Sequence, residues 1–152
     1  MMAELDELYQ EVILDHNRSP RNFRAIADAN RKAQGYNPLC GDHVTVYLKL
    51  EDGVIKDISF QGSGCAISKA SASMMTAELK GKSETEAKKL FENVHKMLTG
   101  ESENERDGTG EVGKLAILSG VSKFPARVKC ATLAWHTVKS ALKGGEQVAS
   151  TE

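Results

Sequence analysis

At 152 residues the chain has the length of one domain, enough to bury about 70% of its unfolded surface. Apolar residues make up 40%, enough for a core, and with aromatics at only 5% that core must be mostly aliphatic. A formal net charge of −1 argues against general nucleic-acid binding, and no run approaches the roughly 18 apolar residues that would span a membrane. The opening Met1-Met2-Ala3-Glu4-Leu5-Asp6-Glu7 is acidic, with no basic stretch and no continuous apolar stretch, so no signal peptide is expected. A cytoplasmic setting follows, in which thiols stay reduced.

Leu5, Leu8, Tyr9, Val12 and Ile13 recur at helical spacing, which predicts an amphipathic helix over 4–16, ended by the Asn17–Asn22 segment with Pro20 inside it. Residues 23–41 are polar and irregular, with a third strand expected somewhere in 29–36. Val44, Val46, Leu48 and Leu50 alternate with Thr45, Tyr47 and Lys49, the pattern of a half-buried strand. Glu51-Asp52-Gly53 is a turn, and 54–60 is the partner strand of a hairpin. After Cys65 the chain turns rich in Ala, Ser and Met as far as Leu79, which predicts a helix packed close to the sheet and stopped by Gly81.

Ser83-Glu84-Thr85-Glu86 is a capping box opening a second helix, whose buried stripe is Ala87, Leu90, Phe91, Val94 and Leu98. Residues 99–113 read as an acidic, Gly-containing exposed insertion, and Leu115–Val121 as a short apolar helix. Pro125 starts the last helix, with a stripe of Val128, Ala131, Trp135, Val138 and Leu142, stopped by Gly144-Gly145. Residues 1–143 are therefore expected to form a single domain, with 144–152 a disordered tail. The fold class is α+β: a small antiparallel β-sheet with helices packed on one face.

The chemistry rests on three cysteines, an odd number that suits metal or catalytic use better than a disulfide framework. Cys40 lies in Asn37-Pro38-Leu39-Cys40-Gly41-Asp42, a tight turn with a carboxylate two residues on. Cys65 follows Gly62-Ser63-Gly64 at the expected start of a helix, where the partial positive charge favours a thiolate. Cys130 lies in the first turns of the last helix, next to Lys129 and three residues after Arg127. Brought together, Cys40, Asp42, Cys65 and Cys130 offer three sulfurs and one oxygen, a tetrahedral set whose default occupant is zinc. Structural zinc sites more commonly use four cysteines, or three and a histidine, so an aspartate suggests a site meant to open or exchange. The alternative is three unrelated buried cysteines. Against it, Cys40 and Cys65 sit among glycines and turns rather than inside apolar runs.

The histidines read more plainly. His43 adjoins Asp42 and is a rival ligand, but as the first residue of a strand it is expected to point away. His95 and His136 are expected on helix surfaces. His16 belongs to an N-terminal segment suited to partner contact. Met74, Met75 and Trp135 are expected in the core.

The three cysteine segments resemble the boxes of the IscU/NifU-like iron–sulfur assembly family: Asn37–Asp42, then Gly62-Ser63-Gly64-Cys65-Ala66-Ile67-Ser68-Lys69-Ala70-Ser71, then Cys130-Ala131-Thr132-Leu133-Ala134-Trp135. The segment Tyr9–Asn22, with Asp15-His16 and Ser19-Pro20-Arg21-Asn22, is similar to that family's N-terminal region. Two departures resemble the SufU branch. Lys129 stands where the IscU branch has a histidine, in Phe124-Pro125-Ala126-Arg127-Val128-Lys129, so neither a histidine ligand nor a dedicated chaperone is implied. The stretch between Cys65 and Cys130 is also longer.

The resemblance implies an IscU/SufE-like fold and a zinc-dependent sulfurtransferase that accepts persulfide sulfur from a SufS-type, pyridoxal-phosphate cysteine desulfurase. It further implies Cys40 as the acceptor and Arg127 as a group that stabilises the departing thiolate or forms a surface ion pair. A desulfurase histidine would replace Cys40 on the metal while Asp42, Cys65 and Cys130 stay bound. Downstream SUF components are further expected partners, with no nucleic acid and no membrane. A scaffold that holds iron or a [2Fe–2S] cluster on the same ligands is the alternative reading, and a purely structural zinc domain the third.

Overall fold

The computed structural model describes residues 2–38, 41–99, 121, 125–143 and 147–150. In chain order these form α1 (Met2–Arg18), β1 (Arg31–Asn37), β2 (Asp42–Glu51), β3 (Val54–Ser63), α2 (Ala66–Leu79), α3 (Glu84–Thr99), α4 (Pro125–Lys143) and β4 (Gln147–Ser150). The acidic insertion, the short helix expected over 115–121 apart from its buried last residue Val121, and Cys40 itself lie outside the described residues.

The sheet order is β3-β2-β1-β4. β1, β2 and β3 pair antiparallel, as expected. The β2–β3 hairpin closes on Asp52-Gly53, both at positive φ (53° and 75°), the conformation that tight hairpins between right-twisted strands demand. Ala33 and Gly35 of β1, Val44, Val46 and Leu48 of β2, and Ile58 and Phe60 of β3 turn to one side, and the helices cover that side. The opposite side carries Lys32, Gln34, Tyr36 and His43, all exposed.

Two local devices set the helices close to the sheet. Gly35 faces α4, and a Cβ there would collide with Thr137 Oγ1, so the bare backbone lets α4 settle onto β1. Trp135, also on α4, is buried and donates its Nε1–H to Ser71 Oγ of α2 at 3.2 Å; Ser71 in turn donates to the Ala131 carbonyl at 2.6 Å. The wide ring is thereby buried with its one polar atom satisfied. At the start of α3 the capping box forms as read: Glu86 N donates to Ser83 Oγ and Ser83 N to Glu86 Oε1, both at 3.1 Å.

Part of the segment expected to be a disordered tail is a strand instead. Gln147–Ser150 pair in parallel with Ala33–Tyr36 of β1. Four residues are too few for alternation to register in sequence, but without them β1 would present an open row of backbone donors and acceptors at the sheet edge. Among the described residues no helix is long and apolar enough to cross a membrane.

Candidate metal centre

Three elements deliver the site. Asp42 opens β2 directly across the ladder from Asn37, the last residue of β1. Cys65 is the N-cap of α2, with extended backbone (φ −72°, ψ 165°), and its Sγ accepts from Ser68 N at 3.4 Å. A sulfur takes the place that a serine or aspartate oxygen usually holds, at the positive end of the helix dipole. Cys130 projects from the second turn of α4 and is fully buried.

One carboxylate oxygen of Asp42 and the two sulfurs all lie within 4.8 Å of one another. A tetrahedral zinc with bonds of about 2.0–2.3 Å sets its ligand atoms roughly 3.5–3.8 Å apart, so small adjustments of three side chains would close around the ion. The surroundings also suit a metal. Asp42 is buried, yet both its oxygens have donors: Cys65 N to Oδ1 at 2.9 Å and Asn37 Nδ2 to Oδ2 at 3.3 Å. Asn37 Nδ2 also lies 3.7 Å from Cys130 Sγ. Gly64 has φ +155°, and a Cβ on it would press to 3.0 Å from Asp42 Cγ, so glycine both takes the backbone conformation and leaves the carboxylate its room. These observations favour a metal-ligand cluster over unrelated core cysteines.

Arg127, exposed, lies one turn before Cys130. The thiolates of Cys65 and then Cys130 push its pKa above the ordinary arginine value, by charge and by hydrogen bonds to both sulfurs.

Other sequence candidates fall elsewhere. His43 is exposed on the far side of the sheet, its Nε2 3.5 Å from Gln34 Oε1, and takes no part in the cluster. His16 binds Ser73 Oγ through Nδ1 at 2.7 Å, tying α1 to α2, and burial holds its pKa below the usual histidine value. His95 and His136, expected on the surface, are half-buried and face each other between α3 and α4. Asn37 is the residue that sequence reasoning passed over. It stood inside the first cysteine segment without a role, and its signal was a polar amide at the end of a strand, just before Pro38.

The NifU-like N terminal domain model matches residues 8–143. The chain belongs to this family. Its members are iron–sulfur cluster assembly proteins, and the fold and the cysteine segments agree with that membership. The chain is 42% identical over 137 residues to the zinc-dependent sulfurtransferase SufU of Bacillus subtilis, covering 90% of both chains. It is 43% identical over 136 residues to the iron–sulfur cluster assembly scaffold protein IscU of Thermotoga maritima, covering 90% of this chain and 93% of that one. Among solved structures, an iron–sulfur cluster assembly scaffold protein for the SUF system (SufU) from Fervidobacterium islandicum superposes with a TM-score of 0.80 at 34% identity, covering 87% of this chain and 94% of the other.

Proposed function

We propose that this protein is a zinc-dependent sulfurtransferase that takes persulfide sulfur from a SufS-type cysteine desulfurase for iron–sulfur cluster assembly. The observation that carries the reading is the Asp42–Cys65–Cys130 cluster, whose ligand atoms lie within 4.8 Å of one another around a buried carboxylate and a buried cysteine. The similarity to a sulfurtransferase along nearly the whole chain supports it.

In this reading Asp42, Cys65 and Cys130 hold the zinc together with Cys40, which stands two residues before Asp42 in sequence. Bound there, zinc keeps the thiols deprotonated and protected from oxidation. Asp42 is held by its two donors, Cys65 caps α2 and Cys130 lies on α4. The Gly41 N–H donates to the Asn37 carbonyl at 2.8 Å, bracketing the three residues that include Cys40.

The Cys40 thiolate attacks the outer sulfur of the desulfurase persulfide. A new sulfur–sulfur bond forms on Cys40, the old one breaks, and the desulfurase cysteine leaves as a thiolate. Arg127 supplies the positive charge that steadies the sulfurs as negative charge moves between them. The working partner is then the desulfurase, with downstream SUF components receiving the sulfur, in a reducing cytoplasm that keeps the thiols available.

Desulfurase turnover, followed with and without this protein, tests the role of Cys40. The wild type should accelerate cysteine consumption and Cys40→Ala should not; stimulation that survives the substitution removes Cys40 as acceptor. The scaffold reading is favoured by comparable similarity to relatives named as scaffolds, and by the name of the Fervidobacterium islandicum structure. Iron and sulfide distinguish the two. A scaffold turns brown and passes its cluster to an apo-protein, whereas a transfer protein purifies colourless with about one zinc per chain.

A further inference from the structure

We propose that Asn37 is the positioning residue of the metal centre, its side-chain amide holding Asp42 and Cys130 in ligating position. The inference rests on the zinc reading above and adds to it a residue that is not itself a ligand.

Asn37 is buried at the point where β1 ends. A side-chain amide nitrogen carries two N–H groups, and two acceptors lie within reach of this one: Asp42 Oδ2 at 3.3 Å and Cys130 Sγ at 3.7 Å. The orientation of the amide is dictated by its neighbours. Reversed, it would set its carbonyl oxygen against a buried carboxylate and a thiolate, three acceptors with no proton among them.

The same residue is fixed by its backbone. Its carbonyl accepts from Gly41 N, and the strand ladder sets it opposite Asp42. Asn37 therefore joins two things that the centre needs kept in register: the β1–β2 ladder that presents Asp42 and the α4 turn that presents Cys130.

Two chemical consequences follow. With Oδ1 engaged by Cys65 N and Oδ2 by Asn37, each oxygen of Asp42 has spent one lone-pair direction, so the carboxylate approaches a metal through a single oxygen. A hydrogen bond to a metal-bound thiolate also withdraws electron density from sulfur, weakening its donation and lowering its reactivity. Asn37 thus favours Cys130 as a held ligand and leaves the reacting role to another sulfur. Partners of this kind, next to the ligands, typically change metal affinity by about 10–100-fold when removed.

The test uses the full chain loaded with cobalt(II), whose thiolate-to-metal charge-transfer band reports electron density on sulfur. Asn37→Ala should still load one cobalt, but its band should move to lower energy, and a chromophoric chelator should strip the metal about 10–100-fold faster. A band and a release rate equal to the wild type overturn the proposal. A merely packing role would change the unfolding midpoint without moving the band.

Should Asn37→Ala fail to fold, the wild type answers alone. In protein loaded with an NMR-active cadmium isotope, a side-chain amide proton of Asn37 should show scalar coupling to the metal through Cys130 Sγ. An uncoupled, unshifted amide overturns the proposal. If the wild type takes up neither metal, the zinc reading falls and the inference with it. Uptake with no effect of Asn37 removes the inference alone.

Discussion

Two regions among the described residues gather titratable side chains on α4, and one of them has a donor set that could hold a metal ion. At the sheet end, Cys130 meets Asp42 and Cys65. Six residues further along, His136 meets His95 and Phe91 of α3, about 120° around the helix. The His95 and His136 ring centroids are 5.7 Å apart at 74°, with Phe91 stacked on His95 and edge-on to His136. Lys139 Nζ lies 4.9 Å from the Phe91 centroid.

The second cluster has ligand-type residues close together, yet its rings pack against each other as an aromatic group, and a lysine adds like charge. The first has amide donors on both carboxylate oxygens, a sulfur capping a helix, and a glycine that clears the space. Proximity of titratable groups is common to both. What separates them is whether the surrounding polar groups hold the ligands and leave room for an ion.

The largest expected effect is on metal content. Cys130→Ser should bring bound zinc from about one per chain to near zero, because a buried hydroxyl neither ionises at neutral pH nor reaches as far as sulfur. A His95→Ala, His136→Ala double variant should keep its full complement. Elemental analysis of the purified proteins reads both, and a double variant that loses zinc breaks the comparison.

A smaller effect is expected for Gly64→Ala, which forces a side chain into a positive-φ backbone and against Asp42. It should cost about 1–3 kcal/mol of stability and at least about tenfold in metal affinity. Gly53→Ala in the hairpin turn, with open space around it, carries only the backbone strain. It should lose about 1 kcal/mol and no zinc. Urea unfolding and chelator competition on both variants show whether clearance at Asp42, rather than strain alone, matters to the site.

The first cluster was partly legible in sequence. Cys40 and Cys65 lie among glycines and turns, with a carboxylate two positions from Cys40, while Cys130 lies inside a helical run with no such local signal; the structure brings Asp42, Cys65 and Cys130 within 4.8 Å of one another. The Asp52-Gly53 hairpin and the Ser83–Glu86 capping box were plainer, since each is settled within four residues.

What escaped depended on contacts distant in sequence. β1 is weak in strand formers because its inward positions, Ala33 and Gly35, are small to admit α4. β4 is defined by its partner alone. Asn37 gains its meaning from a cysteine 93 positions away. His95 and His136 lie where a single-helix reading puts solvent, and it is the neighbouring helix that covers them.

The second cluster has a signature of its own, and it is the gentlest of these effects. The His136 pKa is held below its unperturbed value of 6.5, first by burial, then by the charges of His95 and Lys139. The unfolded chain therefore binds this proton more readily than the folded one. The contribution is fully favourable above pH 6.5 and is lost as pH falls through the lower folded value.

His136→Phe keeps a flat ring against Phe91 and removes the titration, so the fall in unfolding midpoint below pH 6.5 should become shallower. It should not vanish, because His16 is shifted in the same direction by burial against α2. Zinc content at neutral pH should be unchanged. If His136→Phe altered zinc retention as well as the pH slope, α4 would be transmitting strain from one cluster to the other. The two regions would then have to be treated as one coupled unit rather than as a metal centre and an aromatic packing contact that share a helix.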